Sequence, residues 1–438
     1  MVILQNVWWL LVLIGIMILI HELGHYWAAR FFDVRVETFS FGFGPRLFGF
    51  RRGETDFRFS AILYGGYVKM AGEQPGDESG SDPRSLLAKP RWQRLIIAAA
   101  GPFMNVLLAV AVLTGLFMVR FPKLPVVHSP VVGYVAPDSA AAKAGIREGD
   151  RIVQIDDKTN PTWDDIRFKE MSNPGRPLHI AVERDGRREL LAVTPVFDEK
   201  YGVGSAGWFE AMQVQIASVD ETKDAGKEGL RRGDTLVSID GQPIRSLSKL
   251  ATVINAAGGQ PVEIVYQRDG KTRSVKVRPV KADVNGQSRW VIGVTIEPKM
   301  IITQLSLPDA IRESVKANIR SAGLIYKFLQ GIVERKMSAR SIEGPIRIAQ
   351  LSGEAAREGP IAFLELMSMV SLNLAIFNLL PIPILDGGVI LLLIIEMLLR
   401  RDLSLQVKEA VIKVGFVFLM AVVMFVIYND ISKLLAAG

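Results

Sequence analysis

Four apolar runs, roughly residues 7–29, 95–119, 361–399 and 411–427, are long enough to cross a bilayer, because a spanning helix needs about 20 such residues. No other feature restricts the fold so strongly, since a segment in lipid must satisfy all its backbone polar groups internally. Hydrophobic residues make up 49% of the 438 residues, yet 22% are charged, so a sizeable water-facing part accompanies the spans. The first run is not expected to be a cleaved signal peptide: residues 1–6 carry no positive charge and no small-residue cleavage site follows. Residues 30–94 carry eleven Lys or Arg. The positive-inside rule therefore places that loop in the cytoplasm and both termini outside.

The first run contains ILIHELGHYWAA, residues 18–29. Ionisable groups at membrane depth are costly and mark function. On a helix His21 and His25 stand one turn apart on one face, so both imidazoles can reach one metal ion. Glu22 lies beside it as a general base for water, which is the chemistry the His-Glu-x-x-His spacing serves. A catalytic zinc takes three protein ligands and keeps one position open. The chain has no cysteine, so the third ligand must be His, Asp or Glu.

Asp386, in NLLPIPILDGG (378–388), is the only acidic residue between Glu365 and Glu396. His21 lies about 24 Å along the first span and Asp386 about 37 Å along the third, less if the proline-rich part is unwound. Both therefore reach the cytoplasmic half of the membrane. Pro381 and Pro383 cannot continue a regular helix, and irregular backbone at membrane depth suits a cavity. Asn378 offers an amide able to bond a substrate backbone. His128 and His179 read as ordinary surface or strand residues. A net charge of +7 without a dense basic block gives no sign of nucleic-acid binding; the basicity reads as membrane topology.

Between the second and third spans lies an internal repeat. AGIREGDRIVQIDDK (144–158) matches EGLRRGDTLVSIDGQ (228–242), and PGRPLHIAVERDG (174–186) matches GGQPVEIVYQRDG (258–270), both at an offset of 84 residues. One unvarying offset means two copies of one unit. Each copy predicts short alternating strands, a Gly-Asp turn, an amphipathic helix and a strand pair closed by an Arg-Asp-Gly hairpin. PDSAAAKAGIREGDRIVQID (137–156) resembles the PDZ signature of permuted bacterial protease domains; the second copy departs from it at 220–227. WVIGV (290–294) is then the expected carboxylate-binding loop of the second copy, and YGVG (201–204) a weaker candidate in the first. Residues 36–70 alternate apolar and polar positions between glycine-rich turns, predicting β-hairpins at the membrane. Residues 72–85 read as a mobile polar loop, and 307–357 as amphipathic helices.

HELGH, GPFMN (101–105), EGPIRIAQ (343–350) and NLLPIPILDGG, in this order around the repeats, resemble the site-2 protease family in its bacterial sigma-E-regulating branch. The resemblance covers nearly the whole chain. It implies a polytopic α-helical membrane protein with four transmembrane helices, a membrane-associated cytoplasmic β-region and two external tandem PDZ domains of α+β type. The expected parts are 1–30 (first span), 31–93 (cytoplasmic β-loop), 94–120 (second span), 121–210 and 211–300 (PDZ domains), 301–358 (connecting helices), 359–399 (third span) and 400–438 (fourth span and tail).

The resemblance further implies an inner-membrane zinc metalloprotease, with one Zn2+ per chain, its PDZ domains periplasmic and its active site toward the cytoplasmic half. His21, His25 and Asp386 would be ligands, Glu22 the base, and Asn378, Pro381 and Pro383 substrate-handling residues. The implied substrates are a membrane-bound anti-sigma factor already trimmed by a first protease, and signal-peptide remnants. Peptide C-termini are possible PDZ ligands. Two other classes compete: a PDZ scaffold with structural zinc, against which Glu22 and the open position argue, and a metal transporter, which needs a path of ionisable groups rather than one cluster.

Overall fold

The structure is a computed structural model and describes residues 2–73, 82–119, 121–123, 130–198, 203–284, 287–299, 301–334, 342 and 344–437. The expected loop at 72–85 falls mostly outside the described residues, as do His128, the start of YGVG and Glu343 of EGPIRIAQ. The helices are α1 (Val2–Phe31), α2 (Arg91–Met118), α3 (Ala140–Lys143), α4 (Trp163–Ser172), α5 (Asp224–Lys227), α6 (Leu247–Ala257), α7 (Leu307–Val333), α8 (Pro345–Glu358), α9 (Pro360–Asn378), α10 (Asp386–Leu399) and α11 (Leu405–Ala437). Two compact units result, one of residues 1–121, 303–330 and 342–438, the other of 122–302 and 331–341.

In the first unit four helices are long and apolar enough to cross a membrane: Val2–Phe31, Arg91–Met118, Pro360–Asn378 and Gln406–Ser432. Water gives lipid-facing helices no reason to associate, so small residues and polar contacts have to join them. Gly24 brings α1 against α2 so closely that a Cβ there would lie 2.3 Å from the Ala100 carbonyl oxygen. Ser368 and Ser371 of α9 donate to the carbonyls of Ala109 (3.0 Å) and Asn105 (2.9 Å) on α2. Leu13, Met17, Phe363 and Met367 fill the space between α1 and α9.

The third apolar run is not one continuous span. It divides into α9 and the 14-residue α10, with Asn378 as the last residue of α9, a turn at 379–385, and Asp386 opening α10. Pro381 and Pro383 cause the break, because neither can donate into a helical ladder. The 37 Å expected for an unbroken helix is therefore replaced by about 28 Å of α9 followed by a turn. Ile384 adopts a φ of +86°, and Gly387 and Gly388 pack where Cβ atoms would meet the Leu380 and Ile382 carbonyl oxygens at 2.2 and 2.4 Å. Gly415 of α11 lies against Pro383 in the same way. Asp430 of α11 accepts from the amides of Gly344, Ile346 and Arg347 at the start of α8, satisfying donors that a helix N-terminus leaves open.

Residues 36–70 form one long pair of strands, Val36–Arg52 and Thr55–Met70, rather than separate hairpins. Both strands bend, so that Phe39 faces Val68 on one side and Phe57 on the other, while 46–52 pairs back onto 55–60. The pair thus makes four rows, with 46–52 and 66–70 at the edges. Phe39, Val68 and Met70 pack with Ala29 and Ile97 of the helices.

The second unit holds the two repeats, and their strand orders agree. In the second copy the order is 271–277, 262–268, 235–239, 214–219 and 294–298. In the first, 187–193, 178–184 and 151–155 pair in sequence and 132–135 pairs with 208–210. The predicted hairpins are two-residue turns with Asp185, Gly186, Asp269 and Gly270 all at positive φ, the geometry that Asp-Gly permits.

The Gly-Asp turn has a structural reason common to both copies. Asp150 and Asp234, each 1% exposed, take a two-pronged bond from Arg184 and Arg268, at 2.7 and 2.7 Å and at 2.6 and 2.6 Å. Each arginine also donates to a carbonyl at 2.8 Å, of Gly145 or Gly229. The departure at 220–227 changes the cap of the short helix: Ser139 caps α3, whereas Lys223 gives α5 no side-chain bond.

YGVG is not the counterpart of WVIGV. The Ala136 amide donates to the Gly207 carbonyl and the Asp220 amide to the Gly293 carbonyl, both at 2.8 Å. Gly293 of WVIGV therefore corresponds to Gly207, and the first copy's loop is 205–208. The repeat offset has grown to 86 residues there, which hid the match.

Candidate metal and catalytic site

His21 and His25 lie on one face of α1 because four residues make about one helical turn. The break before α10 carries Asp386 to them. Asp386 Oδ2 is 3.1 Å from His21 Nε2, its Oδ1 is 3.5 Å from His25 Nε2, and the two Nε2 atoms are 3.2 Å apart. All three donors lie within 4.8 Å of one another. Two imidazoles and a carboxylate from separate helices form an N,N,O set of the kind a catalytic zinc uses with one position left open.

The surroundings fit a metal. His25 Nδ1 is 2.8 Å from the Ile97 carbonyl oxygen and donates to it, which leaves the Nε2 lone pair free. His21 Nδ1 is 3.2 Å from the fully buried Asn105 amide, whose Oδ1 has no partner among the described residues. With that amide turned over, Oδ1 accepts from His21 Nδ1–H and Nε2 is again free, the tautomer a ligating histidine needs. Gly101 completes the cradle: a Cβ there would stand 2.3 Å from His25 Nε2 and 2.8 Å from His21 Cε1. Gly24, between the two histidines, brings α2 near enough for Gly101 and Asn105 to act.

Glu22 sits on the same turn of α1, facing the sheet edge. Its Cγ would be 3.3 Å from a Cβ at Gly66, and the Ser40 carbonyl oxygen 2.9 Å from it. The strand at 66–70, half-buried and lying at one side of the four rows, therefore runs beside the candidate metal-ligand cluster. Asn378, Pro381 and Pro383 lie at the end of α9 and in the turn that precedes Asp386; Pro381 is exposed and the other two half-buried. His179 is 81% exposed, as expected of a surface residue. Gly101 and Asn105, within GPFMN, are functional residues to which the sequence alone assigns no task. The signal for them was a glycine four residues before a polar side chain inside an apolar run.

A His-Glu-x-x-His helix joined by a carboxylate from a second helix, both within a bundle of membrane-crossing segments, defines an intramembrane zinc metalloprotease of the site-2 type. Comparison with known proteins agrees and is specific. The chain belongs to peptidase family M50, whose family model matches residues 9–422. It is 31% identical over 455 residues to "Regulator of sigma-E protease RseP" of Salmonella typhimurium, covering 99% of both chains. It is 30% identical over 453 residues to the protein of that name from Escherichia coli, covering 97% of this chain and 98% of the other. A "Putative zinc metalloprotease" of Xylella fastidiosa is 32% identical over 451 residues, covering 98% and 99%. Among solved structures, the PDZ domain of an SdrC-like protein from Listeria monocytogenes is 25% identical, with 20% of this chain and 90% of that one covered and a TM-score of 0.18.

Proposed function

We propose that the chain hydrolyses peptide bonds within transmembrane segments of single-span membrane proteins in the bacterial inner membrane. The convergence of His21, His25 and Asp386 beside the strand at 66–70 carries this reading. In this reading the three residues hold one zinc ion per chain. Bound there, zinc supplies Lewis acidity for the scissile carbonyl and makes water acidic enough to lose a proton near neutral pH. Glu22 takes that proton and passes it to the leaving amine.

A transmembrane helix hides its carbonyls in its own hydrogen bonds, so the substrate must unwind before it is cut. The edge at 66–70 can hold it extended by β-addition. Asn378 bonds its freed backbone, and Pro381 and Pro383 keep the neighbouring turn open for it.

The relatives' names point to the sigma-E pathway, so the proposed principal substrate is an anti-sigma factor already trimmed by a first protease; signal-peptide remnants are a second class. The repeats serve as tandem PDZ domains on the periplasmic side, since the positive charge of residues 30–94 favours the cytoplasm. There they restrict which substrates approach, either by size or by capturing a new C-terminus. The test is cleavage of an anti-sigma-type transmembrane reporter by purified protein, with metal measured in each variant. Glu22→Gln should keep zinc and lose cleavage, and Asp386→Asn should lose zinc affinity. Cleavage by Glu22→Gln at the wild-type rate would falsify the role of Glu22.

A further inference from the structure

The two repeats differ at one helix position in a way that bears on ligand capture. In a PDZ domain, the backbone N–H groups of the loop leading into the edge strand receive the carboxylate of a peptide C-terminus. Here those loops are 205–208 and 291–294, leading into the edge strands Trp208–Glu210 and Val294–Pro298. Their glycines correspond closely: Gly207 has φ +78° and Gly293 φ +84°. A Cβ on them would meet Ser139 at 2.4 Å and Lys223 at 2.5 Å, residues themselves 84 apart.

In the first repeat this loop already holds a carboxylate. Glu170, in the last turn of α4, accepts from the Ala206 amide at 2.5 Å and from the Trp208 indole N–H at 2.8 Å. The Ala206 amide is one of the loop donors an incoming C-terminus needs. The position 84 residues on is Ile254, 3% exposed and packed in one cluster with Ile292 of the other loop. An isoleucine accepts no hydrogen bond. The second loop therefore has an apolar wall where the first has a charged occupant.

We propose that Glu170 is a built-in ligand of the first repeat's carboxylate loop, and that this loop accepts no peptide C-terminus while Glu170 is in place. The proposal rests on the PDZ reading above. Two carboxylates cannot share one set of donors without strong repulsion. An incoming one must displace a group tethered at high effective concentration, and leave it buried without partners.

The test uses the full chain in detergent and two short peptides that end in valine, one with a free carboxylate and one amidated. Binding stoichiometry and deuterium uptake are measured for wild type, Glu170→Ala and Glu170→Ile, the last copying the second repeat. In wild type, the free-carboxylate peptide should leave exchange at 204–210 unchanged. Either variant should exchange about ten-fold faster at 204–210 without peptide, and should bind one further free-carboxylate peptide there, with no gain for the amide.

Protection of 204–210 by the peptide in wild type overturns the proposal. So does faster exchange in the variants with no site gained, or unchanged exchange in a variant that remains folded. If a variant unfolds, the wild-type arm still decides.

Discussion

Gly101→Ala tests whether the cradle around the two histidines is built for a metal. A Cβ at this position would lie 2.3 Å from His25 Nε2, 2.7 Å from His25 Cε1 and 2.8 Å from His21 Cε1, where ordinary contact begins at 3.4 Å. His25 must therefore retreat by about 1 Å, several times the ~0.2 Å tolerance of metal–ligand distances. Retreat along α1 is blocked, because Gly24 already rests on the Ala100 carbonyl oxygen. The expected outcome is a loss of zinc affinity of at least about 100-fold, and a similar loss of cleavage, from one methyl group that carries no charge. Zinc content after equilibration with a chelator of known affinity gives the first number, and reporter cleavage the second. Gly115→Ala is the control: it lies on the same helix with nothing within 4 Å of the added Cβ, so it should be neutral or stabilising by up to about 1 kcal/mol. Zinc retained by Gly101→Ala at wild-type affinity would refute the cradle argument.

Other outcomes follow from the same structure. Asn105→Ala should lower zinc affinity about 10- to 100-fold by leaving the His21 tautomer unset, read by the same chelator competition. Asp234→Ala removes a two-pronged bond made on a carboxylate 1% exposed and should cost about 1.5–3 kcal/mol in the second repeat, seen as faster deuterium exchange at 228–240. Asp165 gives a pH signature in the first repeat. Burial alone would push its carboxyl up, but bonds from Lys158 and Thr162 outweigh burial and bring it down to about 2. Its contribution is thus present above its ordinary value near 4 and lost as pH falls through about 2. Because Lys158 is 45% exposed, solvent screening limits the contribution to about 1 kcal/mol. Asp165→Asn should flatten the pH dependence of exchange at 158–172 between those limits.

The clustering of His21, His25 and Asp386 was legible in the sequence because its signals are local or compositional. His21 and His25 are one helical turn apart, and Asp386 stands alone among apolar residues. The Arg-Asp-Gly hairpins were equally plain, since two-residue turns need positive φ at both positions. What depended on long-range pairing was not legible. Nothing in 36–70 announces that Phe39 has neighbours on both sides, because that follows from bends in both strands. Two prolines signalled a kink, but the seven-residue break depends on Gly387, Gly388 and Gly415 fitting against it. The first repeat's loop was misplaced at 201–204 because two residues of length variation fall between the matched stretches.

The proposed zinc ligands are also far apart along the chain: Asp386 follows His25 by 361 residues. At ribosomal speeds of about 5–20 residues per second, roughly 20–70 s of synthesis separate them. The nascent chain inserts α1 with both imidazoles in place but without its third donor. In the proposed site the three donors come together only once the turn before α10 has closed, so a complete three-ligand set requires a nearly finished chain.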